Sequence, residues 1–385
     1  MTVQGPAPAP LANVRVVDLT QVYSGPYCTF LLAQAGAEVI KVEPPAGEGL
    51  RARGGVAATP FAMFNANKRS MTLDLKSDGG RIALRRLAAT ADVVVENFRP
   101  GVMAGLGLGP EDLRRDRPEL IYAALSGYGA TGPYAEFPAL DITIQAMLGV
   151  IASTGEPDQP PVKAGAALAD ILGGIHLYGA IVSALYRRSV TGLGGVIDVA
   201  MADCVYPTLA SNLGPAQNAG PGFVSRTGNR HGGGTVSPYN VYPTADGHVA
   251  IICTTQGHWL SLTKALGLDS AAADPRLATN ALRAQNVGVV DALVGQALAG
   301  RRKRDVFQLL SEAGVPCGAV LELPEVMADP HLHARGLLKR IEHPQYGPLV
   351  VQTSALRFED TALPAYEPSR PLGADTEAIL AELEA

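Results

Sequence analysis

The sequence predicts an α/β fold made of two units. Three observations carry that prediction. Short apolar runs of strand type alternate with helix-type segments through the first half of the chain, and a glycine-rich stretch, 215–237, then breaks the pattern with almost no aliphatic periodicity. A second series of strand and helices follows it. A length of 385 residues fits this division, at roughly 100–200 residues per domain.

Residues 14–19 form the first predicted strand, closed by Thr20 and a Gly25-Pro26 turn, and 27–35 is a helix stopped by Gly36. Strands at 37–42 and 71–75, a helix at 80–91, and strands at 92–96 and 120–125 continue the alternation that builds a mostly parallel sheet. Two apolar helices between 141 and 190 flank the Gly- and Pro-rich segment 153–165, and a strand at 196–199 leads into a further helix. Beyond 237 come a strand at 249–254, a helix from Trp259, a long helix at 282–298 and another at 305–313. The tail adds a strand at 349–356 and a last helix at 376–384.

The chain is 47% hydrophobic and 17% charged, with a net charge of −5, so it has no general attraction for nucleic acid or anionic lipid. Cys28, Cys204, Cys253 and Cys317 stand apart, without zinc-site spacing, and read as buried reduced thiols of a cytoplasmic protein. The first residues have neither a basic start nor an apolar core of signal-peptide length. The apolar stretch 166–186 contains Asp170, His176 and several glycines, which favours a buried helix over a membrane span.

Several tempting motifs carry no chemistry. Gly105, Gly107 and Gly109 lack the spacing of a dinucleotide loop and run into Pro110, as a turn does. His331 and His333 have no further ligand nearby, so no metal is expected, and they read as surface residues. His176 reads as a satisfied core histidine. No serine sits in a G-x-S-x-G context, and there is no phosphate-binding Walker loop.

Two carboxylates have surroundings unlike those of surface acids: Asp141 in ALDITIQAMLG and Asp170 in AALADILGGIHLYG. Each stands at the start of an apolar helix, where a carboxylate can either cap backbone N–H groups or serve a reaction. Gly173 and Gly174 after Asp170 leave room for a ligand or another chain to come close.

Six ordered segments decide between these readings: VRVVDLTQVYSGPYCTFLLAQAGAEVIKVEPP, MFNANKRSMTLDLK, ADVVVENFRPG, PPVKAGAALADILGG with SALYRRSVTGLGGVIDVAM, RTGNRHGGGTVSPYNVYPTADGHVAI, and EAGVPCGAV. Together they resemble the class III CoA-transferase family, which includes formyl-CoA transferase and the carnitine CoA-transferases and also shelters the α-methylacyl-CoA racemases. The resemblance implies that Asp170 is the nucleophile, attacking an acyl-CoA thioester to form a mixed anhydride and then an aspartyl-CoA thioester. It places Asp141 beside that nucleophile and Gly232, Gly233 and Gly234 in a loop that covers the site. It also implies that Leu73, Lys76, Asn97 and Phe98 line the CoA site, with Val22, Tyr23 and Ser24 near the pantetheine. Coenzyme A would then enter as part of the acyl-CoA substrate, with no tightly bound cofactor.

The chain departs from formyl-CoA transferase at Tyr23, where that enzyme has glutamine, and at Pro44, where it has an arginine beside the adenine. Oxalate is therefore not the expected acceptor, and the adenine must be held differently. The alternative on this scaffold is a racemase-type 1,1-proton transfer. Racemases carry a histidine just before the aspartate that aligns with Asp141, and here that residue is Leu140. The resemblance further implies a large doubly wound, Rossmann-like domain plus a smaller α/β domain, with two chains interlocked as a homodimer. In this chain the large domain would comprise 1–214 and the returning tail 326–385, with 215–325 forming the smaller domain and its linkers.

Overall fold

In the computed structural model, which describes residues 7–221 and 223–384, the N-terminal strand-and-helix alternation becomes a six-stranded parallel sheet. Its strands are β1 (Arg15–Asp18), β2 (Glu38–Glu43), β3 (Lys68–Thr72), β4 (Val93–Glu96), β5 (Ile121–Ser126) and β6 (Gly195–Ala200). They lie in the order β3-β2-β1-β4-β5-β6. This is the doubly wound arrangement: the strand order reverses between β1 and β4, where Val16 pairs with Val93 and Asp18 with Val95. Every residue of β4 is buried, as expected for a strand covered on both faces, whereas β6 alternates in exposure at the edge.

Helix α1 (Ser24–Gln34) follows β1, and α2 (Asp78–Thr90) starts at Ser77, whose hydroxyl accepts the Gly80 N–H at 3.0 Å. Further along are α3 (Asp141–Met147) and the long α4 (Leu168–Thr191). One core packs Val17, Ile40, Val42, Met71 and Val94 of the sheet against Leu84 and Leu87 of α2. The C-terminal helix α8 (Thr376–Glu382) inserts Ile379 into the same core, and the Ser70 N–H donates to the Asp375 carboxylate at 2.8 Å.

Chain contacts divide the molecule into two units: residues up to 148, 165–207 and 329 onward form one, and 149–164 with 208–328 form the other. The second unit holds an antiparallel sheet of β7 (Tyr239–Thr244), β8 (Gly247–Ile252) and β9 (Cys317–Ala319). Helices α5 (Gln256–Leu266), α6 (Val287–Leu298) and α7 (Lys303–Glu312) pack on it around the fully buried Trp259.

The structure differs from the sequence reading in several places. Helix α1 begins at Ser24, so Gly25 and Pro26 form its first turn rather than a preceding loop; proline is tolerated there because its missing N–H would be an orphan anyway. The expected helix 282–298 is broken at Asn286 into Asn280–Gln285 and α6. Strands β7 and β9, and the strand Leu338–His343 that pairs with Gly347–Gln352, were not foreseen. His176 is exposed, because the buried stripe of α4 runs through Gly173, Leu177, Ile181 and Ala184 and leaves position 176 on the other side. Helix α4 itself is only partly buried, with Ile175, Tyr186 and Val190 exposed. It is long and apolar enough to cross a membrane by length and composition, yet it packs along α1 within the first unit. Cys28, Cys204 and Cys253 are buried, but Cys317 is partly exposed.

Candidate active site

The reversal of strand order leaves a crevice at the carboxyl ends of β1 and β4, the position where open α/β sheets bind ligands. The loop after β1 carries Gln21 and Val22, α1 opens with Ser24, and the loop after β4 carries Asn97 and Phe98; all five line a cavity of about 170 Å³. Its remaining wall includes Leu125, Ser126, Leu140, Met201 and Asp170.

Asp170 is the third residue of α4 and is half-buried. Loss of solvent raises its pKa from 3.8 to about 7, the nearby Asp141 carboxylate adds to the rise, and a hydrogen bond with Ser24 opposes it. Asp141 opens α3, but what it caps is the next helix: its Oδ1 accepts the Ala169 N–H at 2.8 Å and the Asp170 N–H at 3.3 Å. Its Oδ2 accepts from the fully buried Gln145 side chain at 2.6 Å, and that same amide reaches the Ala166 carbonyl at 3.2 Å. Capping and proximity to Asp170 are thus two aspects of one arrangement. Asp141 satisfies two orphan amides of the α4 N-terminus, those of Ala169 and Asp170.

Gly173 and Gly174 admit a neighbouring element of the same unit. A Cβ on Gly174 would stand 2.5 Å from the Ser24 carbonyl oxygen, and one on Gly173 would stand 3.1 Å from the Met201 side chain. Of the two glycines expected to let a ligand or a second chain approach, Gly174 therefore lets α1 and α4 cross closely, while Gly173 makes room for Met201 and Leu125. That crossing brings Ser24 to Asp170.

A second groove of about 360 Å³ shares Gln21 and Phe98 with the first cavity. Leu73, Leu75, Pro44 and Val42 make it largely apolar, and Lys76 adds a cation at its wall. Of the residues singled out in the sequence, Val22, Ser24, Asn97, Phe98 and Asp170 thus meet at one cavity, while Leu73, Lys76 and Phe98 meet at the adjoining groove. Tyr23 turns aside and packs edge-on against Phe64, with ring centroids 5.6 Å apart. Gly232, Gly233 and Gly234 lie in the second unit, where the Gly233 N–H donates to His231 Nδ1 at 3.2 Å and Gly234 has a φ of 62°.

Sequence reasoning missed Gln145 and Glu96. The first was legible as Asp-x-x-x-Gln on a helix, which puts both side chains on one face. Glu96 closes β4 and accepts the Phe98 N–H at 2.7 Å, and burial pushes its pKa to about 7. An acid ending an all-apolar strand was its only signal.

A model of CoA-transferase family III matches residues 11–376. The chain belongs to that family. It is 37% identical over 394 residues to a succinate–glutarate CoA-transferase from Agrobacterium fabrum, covering 97% of this chain and 96% of the relative. It is equally identical over 334 residues to an acetyl-CoA:oxalate CoA-transferase from Acetobacter aceti, covering 86% and 85%. The crystal structure of a CAIB/BAIF family protein from Brucella suis superposes with a TM-score of 0.84 at 38% identity, over 98% of this chain and all of that one.

Proposed function

We propose that this CoA-transferase moves CoA from a small acyl-CoA to a free carboxylic acid through covalent intermediates on Asp170. The observation that carries the reading is the placement of a half-buried carboxylate of raised pKa at a cavity that adjoins the apolar, lysine-flanked groove. The groove suits the adenine and phosphate end of CoA, with Leu73, Leu75 and Pro44 against the base and Lys76 toward phosphate; Val22, Ser24, Asn97 and Phe98 then guide the pantetheine to Asp170.

The Asp170 carboxylate attacks the thioester carbonyl and the CoA thiolate leaves, giving a mixed anhydride. The thiolate attacks the aspartyl carbonyl and releases the donor acid. The incoming carboxylate then attacks the aspartyl-CoA thioester and expels the thiolate, which takes the new acyl group and frees Asp170. The carboxylate is a weak nucleophile, but holding it against an activated thioester supplies most of what the step requires. Gly232, Gly233 and Gly234 are assigned to the loop that excludes water from the anhydride and offers N–H donors to its oxyanions. Leu140, which occupies the racemase histidine position at the cavity wall, carries no proton and favours transfer over racemisation.

Succinyl-CoA or acetyl-CoA as donor and small mono- or dicarboxylates as acceptors, glutarate among them, define the panel in which activity is sought, with oxalate included as the acceptor that Tyr23 disfavours. We further infer a cytoplasmic homodimer that buries the exposed Ile175, Tyr186 and Val190 of α4. The reading is tested by incubating the enzyme with acyl-CoA alone and trapping with hydroxylamine or borohydride. The expected result is a label on Asp170, with transfer reduced by at least about 10³-fold in Asp170→Ala. An unlabelled Asp170, or near-normal turnover in the variant, would overturn the proposal.

A further inference from the structure

We propose that Glu48, backed by Lys41, is a positioning residue that holds the turn between β1 and α1 in a strained shape on which acyl-CoA binding depends; this rests on the assignment of the Asp170 cavity to that reaction. Val22 has a φ of 68°, a left-handed conformation that a β-branched residue rarely adopts. Its side chain is 37% exposed and lines the Asp170 cavity. A residue stays in such a conformation only where its surroundings over-determine it.

The surroundings do so through consecutive peptide groups, each gripped by a side chain from a different part of the chain. Lys41 of β2 donates to the Thr20 carbonyl at 2.7 Å. Asn97 takes the Gln21 N–H at 2.7 Å and donates to the Gln21 carbonyl at 2.8 Å. Glu48 Oε2 takes the Val22 N–H at 2.9 Å. On the far side of the turn Gly25 sits against Thr20 so tightly that a Cβ there would stand 2.4 Å from that side chain.

Glu48 is itself held in place. It is 2% exposed, its own N–H donates to Glu43 Oε1 at 3.2 Å, and Glu43 is gripped by Arg51 at 2.7 Å. Its second oxygen, Oε1, makes no hydrogen bond and faces the equally buried Lys41 ammonium at 3.7 Å. A buried carboxylate with one oxygen on a strained backbone N–H and the other on a counter-ion is placed to lock the turn. A mere counter-ion for Lys41 would not need the Val22 N–H.

The experiment is a double-mutant cycle between Glu48→Ala and Val22→Gly, reading the dissociation constant for CoA and the rate of Asp170 acylation by acyl-CoA. Glycine adopts positive φ freely, so it does not need the clamp. Glu48→Ala is expected to weaken CoA binding and slow acylation by about tenfold or more in the wild-type background, as loss of a buried charged hydrogen bond does, and by less than about threefold in Val22→Gly. Equal losses in both backgrounds, or no loss in the first, overturn the proposal. Should Glu48→Ala fail to fold, Glu48→Gln decides, since its amide oxygen still accepts the Val22 N–H and should retain most of the acylation rate. A loss in folded Glu48→Gln that Val22→Gly does not relieve overturns the proposal. Hydrogen exchange at the Val22 amide separates this idea from the acyl-CoA reading. Protection in the wild type, with about tenfold faster exchange in Glu48→Ala and little change in Glu48→Gln, supports the clamp even if no CoA chemistry is found; unprotected wild-type exchange overturns it.

Discussion

Asp18 and Asp170 belong to the same unit and both lose solvent on folding, yet their carboxylates are driven in opposite directions. Asp18 ends β1, fully buried. Burial alone would raise its pKa, but Lys68 at 2.9 Å, Lys41, and the Thr20 and Thr29 hydroxyls outweigh that and bring it down to about 2. At Asp170 the balance runs the other way: burial and Asp141 raise it to about 7 against one Ser24 hydrogen bond. Partners, more than depth, decide which of the two acids is held ionised and which is pushed toward neutrality.

The comparison breaks most visibly in stability. Asp18→Asn leaves the buried Lys68 ammonium, with Pro26, Thr29 and Asn65 as its remaining partners, without its counter-charge, and should cost about 3–5 kcal/mol. Asp170→Asn should instead raise the melting temperature by a few degrees at pH 8. The signs follow from linkage. A depressed carboxylate adds stability above its unfolded value of 3.8, lost as pH falls toward 2; a raised one subtracts stability as pH rises from 3.8 through about 7. Thermal melts of both variants between pH 3 and 8 check this, and an Asp170→Asn gain that did not grow with pH would remove the contrast.

A smaller effect sharpens the part played by Asp141. If the ionised Asp170 is the nucleophile, the acylation rate should climb about tenfold per pH unit and level off above about 7. Asp141→Asn keeps an oxygen for the Ala169 and Asp170 amides while removing the charge, so the midpoint should move to lower pH with the plateau little altered. It should stay above 3.8, because burial, the larger cause, remains. An unmoved midpoint would mean that Asp141 acts on Asp170 only as a cap.

What was legible in the sequence divides along the same line. The parallel sheet could be read where its strands carry short apolar runs, as in the three valines of the fully buried Val93–Glu96. Strand β7, YNVYPT, alternates imperfectly and contains Pro243, so it was lost in the glycine-rich texture before it. Asp170 and Asp141 were conspicuous as acids in apolar helices. That Asp141 caps α4 rather than its own helix depends on residues 28 positions apart and has no local signature. Glu48 and Lys41 were invisible for a related reason: each looks like an ordinary surface charge until the fold buries it at 2% exposure.

The smallest expected effect is the absence of one, and it tests what the raised pKa of Asp170 is for. A carboxylate near pKa 7 is also well matched to removing a proton, so the contrast with Asp18 fits a proton-transfer base as readily as a nucleophile. A racemase needs two proton carriers on opposite sides of the α-carbon. Beside Asp170 the cavity wall presents Leu140 where the racemases have histidine, and His176 is exposed on α4 with its Nδ1 bonded to the Leu172 carbonyl at 2.8 Å. With a 2-methylacyl-CoA in heavy water and no acceptor acid, deuterium at the α-carbon should therefore not exceed the uncatalysed level, while addition of a suitable acid should move CoA. Rapid incorporation that survives in Asp141→Asn and vanishes in Asp170→Asn would make Asp170 a base, and the transfer mechanism drawn through it would have to be abandoned.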